Sequence, residues 1–242
     1  MVGLLIGVGL GRCLTAQADE LPLLLQEDFE HGIDRWQTTD PDPVRAVWQI
    51  EVRGAGVSPV REAPASKAGE TPAATRVNHV LRVTGQSKYE PPHRSPHSIA
   101  WLKDTTVKDF VLTARVQNTN PGAGPHRDLC FFWGYQDPAH FYYVHLGAQP
   151  DPAACQIFIV NNAPRTAITV DTAKGTPWTD GWHNVKIVRR LADGAMEVYF
   201  DDMDKPLMAA RDKTFGAGQI GLGTFDDNGN FDDVVLRGEL VK

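Results

Sequence analysis

The sequence predicts an all-β fold, an antiparallel two-sheet sandwich of the jelly-roll kind. Two observations carry that expectation. Apolar residues recur with a period of two rather than the helical period of about 3.6. The segments so marked are short and separated by Gly, Pro, Asp and Asn, and no stretch offers a helix longer than a turn or two. Many short strands joined by such turns fit a sandwich or jelly roll. The 242 residues and 42% hydrophobic content suit one large sandwich with a substantial core.

In chain order, strands are expected near Leu25–Glu30, Ala46–Arg53, Val80–Thr84, Ser98–Lys103, Phe110–Gln117, Leu129–Tyr135, Phe141–Leu146, Gln156–Asn161, Thr166–Asp171, His183–Arg190, Met196–Phe200, Gln219–Thr224 and Asp232–Arg237. Gly54–Arg76 breaks the rhythm with Ala, Pro, Gly and Ser, and is read as a loop-like insertion. The expected organisation is a signal peptide over residues 1–18 and a single domain over 19–242. Val2–Leu10 is apolar but too short to span a bilayer. Ala16-Gln17-Ala18 then supplies the small-x-small pattern of a signal-peptidase site. No Lys or Arg precedes the apolar run, so the signal is expected to begin upstream of Met1. A secreted or periplasmic location follows. Arg12 stands where a lipoprotein signal needs a small residue, so Cys13 is not read as lipidated.

The formal net charge is -6, and no run of Lys and Arg interrupts it. That excludes a phosphate-binding surface and with it nucleic acid as a partner. After the expected cleavage Cys130 and Cys155 remain. The strand order puts a strand between them, too far for a disulfide, so both are expected as free buried thiols.

The most informative stretch is the hairpin His126–Tyr135, an Asp137-Pro138 turn, and His140–Leu146. If Tyr135 faces His140, then Phe132 faces Tyr143 and Cys130 faces His145. Alternation then sorts Leu129, Phe131, Trp133, Tyr135, Tyr142, Val144 and Leu146 onto a core face. The opposite face carries Asp128, Cys130, Phe132, Phe141, Tyr143 and His145. Aromatic rings mixed with an acid, an imidazole and a phenol suit a sugar, whose C–H face stacks on rings while its hydroxyls bond polar groups. The alternative is that both faces are buried between layers and Asp128 caps a strand end. Phe132, Phe141, His126, Arg127 and Arg94 are the candidate ligand-binding residues. Arg94 lies in the Pro-flanked loop Tyr89–Pro96, from which it would reach over the sheet. His145 beside Asp128 makes a candidate general base, with Tyr143 as third catalytic candidate.

Two segments resemble a known superfamily. Trp182-His183-Asn184-Val185-Lys186-Ile187-Val188-Arg189, then Gly194 and Glu197-Val198-Tyr199-Phe200-Asp201-Asp202, is similar to a hairpin of the concanavalin A-like lectin/glucanase jelly rolls. Gly218–Phe225 and Phe231-Asp232-Asp233-Val234 are similar to its closing strands, and Glu27-Asp28-Phe29-Glu30 with Trp36 to its opening one. Within the superfamily the chain most resembles the 3-keto-disaccharide hydrolase-like domain. The resemblance implies a structural Ca²⁺ bridging the first and last strands, with Asp232 as ligand and Asp28 as a second candidate. It also implies carbohydrate as partner. The E-x-D-x-x-E motif of the glucanases is absent, which argues against a retaining glycosidase built on two carboxylates. Three readings stay open: a non-catalytic sugar-binding domain, a hydrolase or lyase on keto-glycosides with His145 as base, and a cell-surface interaction protein. Oligomeric state is not legible.

Overall fold

The computed structural model describes residues 21–53, 77–171 and 174–241. The expected leader and the 54–76 insertion therefore lie outside the described residues. The strands are β1 (Leu23–Glu27), β2 (Trp36–Thr38), β3 (Trp48–Arg53), β4 (Asn78–Thr84), β5 (Ser98–Leu102), β6 (Val107–Asn118), β7 (Cys130–Asp137), β8 (His140–His145), β9 (Gln156–Asn161), β10 (Thr166–Ala167), β11 (Thr169–Asp171), β12 (His183–Arg190), β13 (Ala195–Phe200), β14 (Met208–Arg211), β15 (Gln219–Thr224) and β16 (Asn228–Leu240). Two short 3₁₀ turns, Pro43–Arg45 and Pro121–His126, complete the regular structure. No described helix is long and apolar enough to cross a membrane.

Two antiparallel sheets form the all-β jelly-roll sandwich. The nine-stranded sheet runs β11-β14-β13-β12-β6-β16-β4-β3, with β1 also paired to β16, and the seven-stranded sheet runs β10-β9-β8-β7-β15-β5-β2. Between them lies the main core, where Phe131, Trp133, Tyr142 and Val144 of the seven-stranded sheet share one apolar cluster with Leu112, Val185, Ile187, Phe231 and Leu236 of the other. Period-two alternation explains this layer, because every second side chain of each strand turns inward.

The segment expected as one strand over Thr166–Asp171 is two. Thr166 and Ala167 pair with β9, whereas Thr169 and Asp171 pair with β14 of the opposite sheet. The chain crosses between layers at Ile168. A second departure concerns Tyr135. The pairing Cys130↔His145, Phe131↔Val144, Phe132↔Tyr143 and Trp133↔Tyr142 holds, but the register shifts beyond Trp133 and Asp137, not Tyr135, faces His140. Gly134 sits at the irregularity with φ +62, a left-handed conformation that glycine adopts without steric cost. The bulge turns Tyr135 away from the inter-sheet core and onto Trp101, with ring centroids 3.9 Å apart.

Candidate functional site on the outer face of the seven-stranded sheet

The outer face of the seven-stranded sheet carries a second apolar cluster, formed by Ile99, Trp101, Cys130, Phe132, Phe141, Tyr143, Phe158 and Val160. Register explains it. Trp101 pairs across Gly221 to Phe132, then to Tyr143 and Phe158. Gly221 leaves the needed room, since a Cβ there would stand 2.8 Å from the Trp101 ring. The rings form a row: Trp101 to Phe132 is 5.4 Å, Phe132 to Tyr143 5.5 Å and Tyr143 to Phe158 5.1 Å, the last two pairs stacked. Such stacks add specificity of geometry to the burial of apolar area.

Arg165 closes the row. Its guanidinium lies 4.7 Å from the Phe158 ring centroid and 4.4 Å from that of Phe225, within range for cation–π attraction. Nη1 donates to the Tyr143 hydroxyl at 2.8 Å and Nη2 to the Ala153 carbonyl at 2.9 Å. Arg165 stands in the turn between β9 and β10, and its backbone N–H donates to the Arg94 carbonyl at 3.2 Å. That bond ties it to the segment 85–97, which leaves the nine-stranded sheet at β4 and enters the seven-stranded one at β5. His93 Nε2 also meets Asn162 Oδ1 at 3.3 Å. The segment is thus a strap: it reaches from β5 to the β9–β10 turn, over β15, β7 and β8. Ser98 Oγ donates to the Gly85 carbonyl, and His97 Nδ1 meets the Tyr89 carbonyl, so the strap is pinned at its β5 end.

At the end of the hairpin near β9, the polar candidates meet. His145 Nε2 lies 3.1 Å from Asp128 Oδ2, and both side chains are buried. Thr224 Oγ1 donates to Asp128 Oδ1 at 3.0 Å, and the Asp227 carboxylate accepts the Asp128 N–H. His145 Nδ1 is 3.0 Å from the Ala153 carbonyl, and the ring stacks on Phe225 at 5.5 Å. Burial pushes the Asp128 carboxyl up, but the adjacent His145 and Thr224 outweigh it and hold the group below the usual carboxylate range. Burial pushes the Tyr143 phenol up, against the pull of Arg165. Burial, then Asp128, push the Cys130 thiol well up. Among the described residues Asp128, Cys130 and His145 form a group with ligand atoms all within 4.8 Å of one another.

The structure brings Asp128, Tyr143 and His145 together as the sequence placed them, on one face and away from the inter-sheet core. It does not make that face an open platform. Phe132 and Phe141 are 0% and 2% exposed, so neither presents a ring to solvent. Strap, turn and Arg165 lie where a ligand was expected. Arg94 is exposed and enters the arrangement through its carbonyl. His126 is exposed at the end of a 3₁₀ turn. Arg127 is buried and committed internally: it donates to Asn118 and to the Thr179 carbonyl and pairs with Asp180 at 3.0 Å. It clamps three segments together. Cys130, on β7, and Cys155, just before β9, are free buried thiols, with β8 between those strands. Sequence reasoning missed Arg165, Phe225 and Thr224. No periodicity marks Arg165, which follows Pro164 in a turn and acquires its role only from tertiary contacts.

The proposed calcium ligands lie where β16 changes partner. Its first residues pair with β4 and its middle with β1. Asp232 sits at the change, buried, with Oδ2 accepting from Asn78 Nδ2 at 3.0 Å and Oδ1 from the Asp233 N–H at 2.8 Å. Burial pushes its carboxyl up to about 6. Asp28 is exposed, and its Oδ1 accepts the Glu30 N–H. Calcium takes six to eight oxygen ligands. Two N–H donors on Asp232 and an outward Asp28 make a hydrogen-bonded turn, not an oxygen cage, so these residues as arranged do not fit the ion.

No protein-family model matches the chain, and no curated protein matches it. Solved structures do. The cellulose-induced protein Cip1 is 11% identical, with 88% of this chain and 96% of that one covered, at TM-score 0.54. The carbohydrate binding module CBM66 from Bacillus subtilis is 15% identical, with 80% and 96% covered, at TM-score 0.49. Winged bean acidic lectin, solved with methyl-alpha-D-galactose, is 12% identical, with 86% and 100% covered, at TM-score 0.43. At 11% identity the likeness to Cip1 is one of fold alone.

Proposed function

We propose that this protein is a secreted carbohydrate-recognition domain whose sugar site is the Arg165–Phe225–His97 patch on the outer face of the seven-stranded sheet. One observation carries the reading. A half-buried aromatic ring, a guanidinium and an imidazole converge there, with His97 and Phe225 edge to face at 5.9 Å. Beneath them stand the Tyr143 hydroxyl and the Asp128–His145 pair. Apolar walls with a few fixed polar groups are what a neutral, hydroxyl-rich ligand needs. The guanidinium N–H groups that Tyr143 and Ala153 leave free can bond a ligand hydroxyl, and an aromatic ring can take the C–H side of a pyranose. Two grooves elsewhere among the described residues lack this combination. One of about 410 Å³ is lined by Phe200, Met208 and Lys205, and one of about 400 Å³ by Leu24, Arg35 and Leu102.

A second reading rests on the Asp128–His145 contact alone. There His145 acts as general base on the acidic C–H of a keto-glycoside, and Tyr143 and Arg165 steady the enolate. That reading requires Arg165 to swing aside, because His145 lies beneath it and Phe225. Incubation with a glycan panel and the 3-keto derivatives, with and without EDTA, separates the two. Binding without product supports recognition; product that disappears in His145→Ala supports catalysis; neither binding nor product defeats both. Thermal melts with added Ca²⁺ address the structural ion. A calcium-dependent rise lost in Asp232→Asn would overturn the conclusion that Asp232 and Asp28 do not fit the ion.

A further inference from the structure

The cluster beneath Arg165 has a chemistry of its own, whatever binds above it. Its donors are a carboxylate oxygen, a thiol sulfur and an imidazole nitrogen, all buried and within 4.8 Å of one another. Cys130 and His145 are cross-strand partners, and Asp128 stands two residues before Cys130, so the pleat puts all three on one face. The His145 ring is oriented through Nδ1, 3.0 Å from the Ala153 carbonyl. A carbonyl only accepts, and at 3.0 Å this contact outweighs the 3.5 Å approach of the Arg165 donor to the same atom, which favours the proton on Nδ1. In the neutral ring the lone pair is then on Nε2. That atom is buried and has no aligned hydrogen-bond partner, although Asp128 Oδ2 is 3.1 Å away.

A lone pair facing a carboxylate at that distance calls for a cation between them. A proton there would bridge Nε2 and Asp128 Oδ2 alone. A metal ion meets the same demand and also engages Cys130 Sγ, which the proton leaves unused.

We infer that Asp128, Cys130 and His145 bind a divalent transition-metal ion of the zinc class. The mixed S, N and O set suits zinc and not calcium, which takes oxygen alone. Zinc–ligand bonds of about 2.0–2.3 Å place tetrahedral donors roughly 3.3–3.6 Å apart, so the 3.1 Å between Nε2 and Oδ2 is already on that scale. Two of the donors are already held from behind: the Ala153 carbonyl holds the far side of His145, and Thr224 holds the far oxygen of Asp128. Binding displaces the Cys130 thiol proton to solvent and leaves the sulfur as thiolate. Three protein donors leave a four-coordinate ion one position for water or a ligand oxygen. A His145 ligated at Nε2 has no lone pair for base chemistry, so this site excludes the keto-glycoside reading and is independent of sugar recognition.

Titration of chelator-treated full chain with Co²⁺ tests the site. One equivalent is expected to bind, with a thiolate-to-cobalt charge-transfer band in the near ultraviolet, and Zn²⁺ is expected to abolish the band by displacement. Cys130→Ser is expected to lose the band and at least hundredfold in affinity, whereas Cys155→Ser keeps both. Asp128→Asn is expected to weaken binding at least tenfold. Thr224→Val, which removes only a positioning hydroxyl, costs about tenfold, and Thr224→Ser restores it. Folded wild-type chain that takes up no Co²⁺, or a band that follows Cys155, overturns the inference without recourse to any variant. Glycan binding read on the same samples keeps the two proposals apart: sugar retained by a chain that takes up no metal defeats this site alone.

Discussion

The two faces of the β7–β8 hairpin are buried alike and built differently. On the inner face Phe131, Trp133, Tyr142 and Val144 are 0–1% exposed and meet the opposite sheet. On the outer face Cys130, Phe132, Phe141, Tyr143 and His145 are 0–6% exposed, yet a strap, a turn and one guanidinium cover them. The inner face carries the Trp133 indole N–H and the Tyr142 hydroxyl, which accepts the Phe215 N–H and donates to Asp212. The outer face gathers an acid, a thiol, an imidazole and a phenol at one end. Depth of burial therefore does not separate scaffold from site. What separates them is the cover: a hydrogen-bonded sheet holds by many strands at once, whereas a cover resting on Arg165 changes with one side chain.

The largest effect that tests this contrast is Trp133→Ala. It opens a cavity in the inter-sheet core and should cost about 3–5 kcal/mol in urea denaturation; a loss below about 1 kcal/mol would mean that the inner face is not the scaffold. Arg165→Ala should cost less, about 1–3 kcal/mol, since it removes hydrogen bonds and ring contacts but no core volume. It should also expose the Tyr143 and His145 rings to solvent, seen as faster exchange of their side-chain resonances. Arg165→Lys should not restore the cover, because an ammonium cannot donate to Tyr143 and Ala153 in one plane while stacking on two rings. A Lys variant indistinguishable from wild type would reduce Arg165 to a simple charge. Gly134→Ala should cost about 1–2 kcal/mol for a left-handed Ala, with the new Cβ 3.1 Å from the Tyr142 ring.

The smallest effect is on pH dependence, and Tyr142 on the inner face supplies part of it. Burial, then the Asp212 hydrogen bond, push the Tyr142 hydroxyl up to about 12. A phenol whose folded value exceeds its unfolded value, about 10, contributes stability that is intact below pH 10 and falls as pH rises to 12. Tyr142→Phe should flatten that part of the stability curve. An unchanged slope between pH 10 and 12 would remove Tyr142 as its source.

How much of this was legible in sequence depends on where local rules end. The pairing of Cys130 with His145 and of Phe132 with Tyr143 follows from alternation and the Asp137-Pro138 turn, and the structure has it. The same rule fails at Tyr135, because the left-handed Gly134 inserts a bulge that alternation does not foresee. Thr166–Asp171 alternates well enough to read as one strand, but its halves belong to different sheets, and only tertiary pairing decides that. The outer face was read as polar-aromatic from its residue types, and that was right. Burial of both faces stood as the alternative, but what buries this one was not readable, since the cover comes from residues 85–97 and from Arg165, both distant in sequence. Arg127 illustrates the converse: its position beside Asp128 suggested a ligand, while its partners Asn118, Thr179 and Asp180 make it a clamp.

The central claim is that the patch formed by Arg165, Phe225 and His97 is where a sugar is recognised. Calorimetric titration of wild type and Arg165→Ala with a glycan retained in the panel tests it most directly. The account predicts one glycan per wild-type chain and at least tenfold weaker binding by a variant whose circular dichroism is unchanged; equal affinity in the two folded proteins would contradict it.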